Sequence, residues 1–124
     1  MKQSMNEILT QEKSIYLQIE EMIENDILRD ILREEEQAPS TNELARRYAI
    51  NPATAAKGVN RLVDAGILYK KRGLGMFVQT GAREQILAKR RAAFQQEYLK
   101  SFLHEAKDLG ISKEELIEMI RKEG

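Results

Sequence analysis

Residues 39–62, PSTNELARRYAINPATAAKGVNRL, carry the strongest local structural signals in this 124-residue chain. Ser40 and Glu43 have the spacing of a capping box, in which each side chain accepts a hydrogen bond from the other residue's backbone N–H. This pattern predicts a helix that starts after Ser40 and ends near Ala49. The first half of the stretch therefore forms one short helix.

The second half of the stretch predicts another helix. Asn51 is a preferred N-cap residue, and Pro52 fits the first helical position because its missing backbone N–H costs nothing there. Gly66 is typical of the left-handed residue that closes a helix, so the second helix should end near Ala65. Two short helices joined by a tight turn indicate a helix-turn-helix, whose second helix commonly reads DNA.

A β-hairpin is predicted directly after the second helix. Residues 67–71 and 76–78 are β-prone, and the four residues between them include two glycines that permit a tight turn. A hairpin in this position is the wing of a winged helix-turn-helix. Because Lys70, Lys71 and Arg72 lie at its tip, we expect the wing to be cationic.

The residues before the helix-turn-helix predict a structural helix and two less regular segments. Ser14 can cap a helix that continues to Leu28, and its apolar residues recur at the spacing of one buried stripe. Residues 1–13 are mostly polar and are predicted to form a frayed arm. The acidic run at residues 34–36, after Arg33, has no periodicity and is interpreted as a solvated connector rather than a docking site.

Two amphipathic helices are predicted in the last third of the chain. The first runs from about Ala82 to Leu109, and the second starts at another capping box, formed by Ser112 and Glu115. A helical pair of this length cannot bury all its apolar surface alone, so we expect a second copy of the chain to cover it. The predicted dimerisation residues are Leu87, Phe94, Tyr98, Leu99, Phe102, Leu116, Ile117 and Ile120.

The predicted fold class is therefore mainly α with a small β-hairpin. A winged helix-turn-helix DNA-binding domain is expected at residues 1–80, followed by a helical dimerisation region at residues 81–124. Phe94, Tyr98 and Phe102 at helical spacing favour a dimer core over an effector pocket.

The composition excludes several classes of function. The chain has no cysteine, and its single histidine, His104, cannot form a metal site by itself. No nucleophile and base are arranged for catalysis and no phosphate-binding loop precedes a helix, so we expect neither an enzyme nor a cofactor. No apolar run is long enough to span a membrane and the N-terminus lacks signal-peptide features, which predicts a cytoplasmic protein.

The net charge of zero conceals an uneven distribution of charge along the chain. Residues 1–38 carry −6, residues 39–81 carry +5, and residues 82–124 carry +1. A polyanion is therefore attracted to the middle third of the chain, which contains both predicted DNA-binding elements.

The motifs APSTNELA, INPATAAKGVNRL, GIL and RGLGMFV, in this order, resemble the N-terminal DNA-binding domain of the GntR family of bacterial transcription regulators. The resemblance covers residues 15–78. The short C-terminal part is similar to the YtrA-like branch, whose members are dimers without a large effector-binding domain. At Asn42 the family commonly has an arginine that contacts DNA, so this edge of the DNA site is expected to be bound differently.

The resemblance implies that the second helix enters the major groove while the first helix and the wing hold the DNA backbone. Ala53 can touch a thymine methyl group, and Thr54 and Lys57 can each reach a base or a phosphate. Ser40 lies at a helix N-terminus, where its backbone N–H can also bind an anion. The candidate DNA-binding residues are Ser40, Asn42, Arg46, Asn51, Ala53, Thr54, Lys57, Arg61, Lys71, Arg72, Gly73 and Gly75.

The favoured hypothesis is a homodimeric, sequence-specific regulator, interpreted as a repressor, that binds a two-fold symmetric site in double-stranded DNA. Two alternatives stay open. The winged helix could serve protein association, or the C-terminal helices could bind a small-molecule effector of unknown identity. The positive charge of residues 39–81 favours DNA over a protein partner.

Overall fold

The computed structural model describes the backbone of residues 5–124 and the side chains of residues 15–124. The chain forms two compact units, described separately below, of which the first extends to Leu87 and the second runs from Ala88 to Gly124. The elements, in chain order, are α1 Met5–Leu28, α2 Thr41–Tyr48, α3 Pro52–Asp64, β1 Leu68–Lys71, β2 Gly75–Val78, α4 Ala82–Ala93, a π-helical segment Phe94–Leu99, α5 Lys100–Asp108 and α6 Lys113–Glu123. This order confirms the predicted fold class.

Local capping fixes the start of both short helices in the first unit. The Ser40 hydroxyl accepts from the Glu43 N–H at 3.0 Å, and the Glu43 carboxylate accepts from the Ser40 N–H at 3.0 Å. At the start of α3, Asn51 Oδ1 accepts from the Ala53 N–H at 2.8 Å. Both predicted caps are confirmed, and the chain turns between the helices at Ala49, which adopts a left-handed φ of 53°.

The core of the first unit lies where α1, α2 and α3 meet. From α1, Ile19, Ile23 and Ile27 point inward at the predicted helical spacing. They pack with buried residues of the other elements, among them Leu44, Ala55, Val59, Leu62, Leu68 and Val78. Burial of such aliphatic side chains supplies most of the favourable free energy of folding, at roughly 1.5–3 kcal/mol for each one fully buried.

The first helix is longer than predicted. α1 begins at Met5, so Ser14 lies inside the helix and does not cap its start. The expectation of an irregular arm at residues 1–13 is therefore wrong for residues 5–13, and residues 1–4 lie outside the described part of the chain. The polar composition of this segment misled the prediction, since glutamate, glutamine and lysine are good helix formers.

The acidic connector, defined here as residues 33–38, is not merely a solvated loop. The Glu35 N–H donates to the Val78 carbonyl at 2.8 Å, and the Ala38 N–H donates to the Met76 carbonyl at 2.8 Å. In return, the Val78 N–H donates to the Glu36 carbonyl at 3.0 Å. The connector thus pairs antiparallel with β2, on the side opposite β1.

The start of α4 belongs to the first unit. Ala82 and Ile86 are both buried in its core, and Gln85 Nε2 donates to the Ala65 carbonyl at the end of α3 at 2.7 Å. The boundary between the two compact units therefore follows Leu87. It lies seven residues beyond the predicted domain boundary at residue 80. Assignment of the two parts to DNA binding and dimerisation stays a prediction.

In the second unit, the chain continues as a helix through the π-helical segment and turns back at Gly110. Gly110 has a φ of 71°, and the Ser112 and Glu115 capping box predicted for α6 is present, with hydrogen bonds of 3.0 and 3.1 Å. Ala106 and Leu116 are the buried residues between positions 88 and 124. Leu116, predicted to lie at a dimer interface, is already buried in the single chain.

Most large apolar side chains of this second unit are exposed. Between residues 88 and 124, all of which the structure describes, nine large hydrophobic residues are more than a third exposed: Phe94, Tyr98, Leu99, Phe102, Leu103, Leu109, Ile117, Met119 and Ile120. Monomeric proteins rarely leave so much apolar surface in contact with water.

Candidate nucleic-acid interface

The outer face of α3 presents residues at a spacing of one helical turn. Ala53, Lys57 and Arg61 follow one another at intervals of four residues, and all three are exposed. Asn51 precedes them as the exposed N-cap, although its Oδ1 atom is engaged with the Ala53 N–H. The face of α3 that carries Ala53, Lys57 and Arg61 is therefore accessible to a large ligand.

Thr54 does not share this outer face. Its exposed fraction is 8%, and it lies on the side of α3 that packs into the first unit, next to buried Ala55. Position 54 is one residue beyond Ala53, so it is rotated by roughly 100° around the helix axis. The proposed contact between Thr54 and DNA is the part of the predicted α3 site that the structure does not support.

The two cations of α3 contact the ring of Tyr16 on α1. Lys57 Nζ lies 4.4 Å from the ring centroid, and the Arg61 guanidinium carbon lies 5.7 Å from it. Arg61 Nε also donates to Glu20 Oε1 at 2.7 Å, and this hydrogen bond raises the pKa of Arg61 above its usual value. The predicted site residue Arg61 is therefore held by a carboxylate, whereas Lys57 faces an aromatic ring.

Gly58 is a structurally important residue that the sequence analysis did not identify. It is buried on α3 where this helix crosses α1. A Cβ atom at this position would lie 2.7 Å from the Tyr16 carbonyl oxygen and 3.2 Å from the Ile19 Cβ. Glycine therefore allows the two backbones to approach closely enough for Tyr16 to reach Lys57 and Arg61.

The hairpin of β1 and β2, which we call the wing, is cationic as predicted. Strand pairing runs from Leu68 with Val78 to Lys71 with Gly75, and the chain reverses through Arg72, Gly73 and Leu74. Lys70, Lys71 and Arg72 are exposed, and Lys71 Nζ lies 4.4 Å from the Phe77 ring centroid.

The two wing glycines have different roles. Gly73 has a φ of 76°, and a Cβ atom there would meet nothing within 4 Å, so its role is the turn conformation alone. Gly75 has a φ of 119°, and a Cβ atom would lie 2.8 Å from Gln37 Nε2, which donates to the Leu74 carbonyl at 2.6 Å. Gly75 therefore also makes room for a side chain of the connector.

The DNA-binding residues predicted on α2 and at its N-cap are exposed. The backbone N–H of Ser40, however, already has a hydrogen-bond partner. Asn42 and Arg46 lie on the exposed surface of α2, together with Arg47, which the sequence analysis left out of the site. The Ser40 N–H, expected to be available to an anion, donates to the Glu43 carboxylate. Because the capping box uses that donor, Ser40 is not an open anion site in this structure.

Glu35 of the connector links the base of the wing to the chain beyond it. Its carboxylate accepts from the Tyr69 hydroxyl at 2.5 Å and from the Thr80 hydroxyl at 2.5 Å. Hydrogen bonding from Thr80, then from Tyr69, together with the charge of Lys71, lowers the pKa of Glu35 below its usual value. The hydrogen bond to Glu35 correspondingly raises the pKa of Tyr69.

Replacing Glu35 by glutamine is expected to lower the melting temperature at neutral pH. A carboxylate whose pKa is lowered in the folded state stabilises the protein above its unfolded-state pKa, and this contribution is lost as the pH falls through the folded-state pKa. The melting temperatures of the wild type and Glu35→Gln should therefore differ at neutral pH and converge in acid. Glu21→Gln, at an exposed position of α1, serves as the control and should show no such gap. A gap that is constant across pH contradicts the role of the charged carboxylate.

The described residues include no group of histidine and acidic side chains suited to a metal ion. No helix in that same part of the chain is long and apolar enough to cross a membrane. What the first unit does present is a capped helix with exposed cations, beside a basic hairpin.

This arrangement defines a winged helix-turn-helix protein of the class that regulates transcription. The model of the family of bacterial regulatory proteins called gntR matches residues 15–78, which is half of the chain. The chain therefore belongs to the GntR family of transcriptional regulators. Because these proteins are regulators, the prediction that the chain is not an enzyme is confirmed.

Similarity to individual proteins extends beyond the matched domain. The chain is 32% identical to the HTH-type transcriptional regulator YhcF of Bacillus subtilis, over 88% of both proteins. It is 30% identical to the transcriptional repressor YtrA of the same organism, over 87% of this chain and 82% of YtrA. A GntR-family regulator from Bacteroides thetaiotaomicron superposes with a TM-score of 0.73 at 37% identity, over 87% of this chain and 94% of that one. The predicted resemblance to the YtrA-like branch is confirmed.

Proposed function

We propose that this protein is a cytoplasmic, homodimeric repressor that binds a two-fold symmetric site in double-stranded DNA. The observation that carries the proposal is the concentration of exposed cations on α3 and the wing, within a stretch of net charge +5 in a chain whose total charge is zero. Such a patch attracts the phosphate backbone and releases counterions when it binds. Similarity to YtrA, which is named a repressor, supports the direction of regulation.

In the proposed complex, α3 enters the major groove with its N-terminus leading. Asn51, Ala53 and Lys57 form its accessible leading face, where they can contact base edges and the adjacent phosphates. Lys70, Lys71 and Arg72 of the wing contact the DNA backbone, and the glycines of the hairpin let this tip approach closely. Asn42, Arg46 and Arg47 on α2 complete the phosphate contacts.

The proposed dimer interface is formed by the exposed apolar residues of the second unit. Phe94 and Tyr98 lie with ring centroids 5.8 Å apart, and Phe102, Ile117 and Ile120 are likewise exposed. A symmetric partner would cover the same residues on both copies. The two copies of α3 in the dimer would then bind two half-sites, whose separation is set by the helical repeat of DNA.

The Phe102→Glu variant is expected to be monomeric at micromolar concentrations at which the wild type is a dimer. Phe102 is 45% exposed in the single chain, and a glutamate there would have to be buried without a partner on dimerisation. Analytical ultracentrifugation measures the difference. The control, Lys100→Glu, introduces the same carboxylate roughly 160° away around the helix axis and should remain dimeric. A wild-type protein that sediments as a monomer contradicts the proposed dimer.

Selection of bound sequences from a random pool of double-stranded DNA tests the whole proposal. Enrichment of an inverted repeat with half-sites about one or two helical turns apart is the expected result. Enrichment of a sequence that is not an inverted repeat would count against the symmetric dimer. No enrichment at all would instead favour the winged helix as a protein-association module.

A further inference from the structure

Tyr16 lies on α1, outside the helix-turn-helix, yet its ring contacts both cations of α3. Lys57 Nζ is 4.4 Å from the ring centroid, within the range of a cation–π interaction, and the Arg61 guanidinium carbon is 5.7 Å away. Glu20, one helical turn beyond Tyr16, binds Arg61 Nε at 2.7 Å. Tyr16 and Glu20, one turn apart on α1, thus contact the side chains of Lys57 and Arg61, which lie one turn apart on α3.

The two cations are held with different strength. Arg61 makes a charge-assisted hydrogen bond to a carboxylate whose side chain is only 12% exposed, whereas Lys57 is held by the face of an aromatic ring. A charge-assisted hydrogen bond is the stronger of the two interactions at a partly exposed site. Lys57, which is exposed, can therefore reach DNA while it stays over the ring, whereas Arg61 would have to give up its carboxylate partner.

The position of the ring depends on close packing between the helices. Gly58 follows Lys57 directly, and its missing side chain lets the Tyr16 carbonyl come within 2.7 Å of where a Cβ atom would be. The ring is consequently placed beside the outer face of α3. This restricts the conformations of a long lysine side chain that would otherwise be free in solvent.

We propose that Tyr16 is a positioning residue for DNA recognition, which orients Lys57 toward the DNA. This inference rests on the proposed function, because it assumes that Lys57 contacts DNA. Holding Lys57 in a restricted set of conformations lowers the entropy lost when DNA binds, and so strengthens binding without a direct contact from Tyr16. Tyr16 acts only through Lys57.

A double-mutant cycle on the affinity for the selected DNA sequence tests the coupling of Tyr16 to Lys57. Tyr16→Leu removes the ring but keeps an apolar side chain, and it is expected to weaken binding about three- to tenfold when Lys57 is present. In the Lys57→Ala background the same change should alter the affinity by less than about twofold. The matched variant Tyr16→Phe keeps the ring and should bind within about twofold of the wild type. Fluorescence anisotropy at one fixed salt concentration gives all the dissociation constants.

Two results of this cycle would overturn the inference, and a third would overturn the proposed function as well. An equal loss from Tyr16→Leu in both backgrounds overturns the inference, because a structural effect would not depend on Lys57. A loss in Tyr16→Phe as large as in Tyr16→Leu also overturns it, since the hydroxyl group would then matter rather than the ring. Failure of the wild type to bind any selected DNA overturns the proposed function first, and this inference with it.

An NMR measurement on the wild type tests the geometry even if Tyr16→Leu does not fold. The ε-methylene protons of Lys57 should be shifted upfield by the Tyr16 ring in the DNA-free protein, and the shift should remain in Tyr16→Phe. Random-coil chemical shifts for these protons would overturn the proposal.

Discussion

Gly58→Ala is expected to lower the free energy of unfolding, although alanine is the better helix former. The substitution gains up to about 1 kcal/mol from helix propensity. It also places a Cβ atom 2.7 Å from the Tyr16 carbonyl oxygen and 3.2 Å from Ile19, where the nearest atom belongs to backbone and cannot rotate away. Overpacking of this kind typically costs about 1–3 kcal/mol, so we expect a net loss of up to about 2 kcal/mol.

Urea denaturation of the wild type and the variant measures this change. Asn60→Ala is the control, because position 60 is exposed on the same helix and gains helix propensity without a clash. It should leave stability unchanged or raise it slightly. If Gly58→Ala raised the free energy of unfolding as much as Asn60→Ala does, α1 and α3 would not approach each other as closely as in this structure.

Neutralising the wing by Lys70→Ala, Lys71→Ala and Arg72→Ala together is expected to weaken DNA binding by at least about 100-fold at moderate salt. Each phosphate contact contributes about 0.9 to the slope of log affinity against log salt concentration. Removing two or three contacts from each protomer of a dimer should therefore reduce this slope by roughly four to five. The three side chains are exposed, so the fold of the remaining chain should be retained.

The matched control neutralises three cations of α6, Lys113, Arg121 and Lys122, which are not among the residues proposed to contact DNA. It changes the net charge of the protein by the same amount, so it separates local contacts from the effect of total charge. Affinity should stay within about threefold of the wild type, because a change in total charge without a lost phosphate contact is largely screened by salt. Equal losses in the two triple variants would mean that the wing does not contact DNA.

The sequence predicted best what local interactions determine. The capping boxes at Ser40 and Ser112 and the cap at Asn51 involve residues two or three positions apart, and each is present in the structure. The hairpin could be predicted for the same reason, because two β-prone runs flank a short turn that contains glycine. These elements could be predicted because their partners are neighbours in the chain.

Tertiary contacts account for what the sequence did not reveal. Gly58 resembles any glycine inside a helix until the neighbouring backbone of α1 is placed against it. The connector pairs with β2 through backbone groups, so its acidic side chains carry no sign of the pairing. The family resemblance implies that Thr54 contacts DNA, and only the packing of α3 shows that this side chain is buried.

The pairing of the connector with β2 also determines which strand edge of the wing is exposed. β2 lies between β1 and the connector, so of the two described strands of the wing only β1 has an edge without a pairing neighbour. Unpaired edges invite association between sheets of different molecules, and lysines on such an edge oppose it by charge repulsion. Lys70 and Lys71 lie on this edge strand. The charges proposed to bind DNA therefore also help to keep DNA-free copies of the protein from aggregating through their wings.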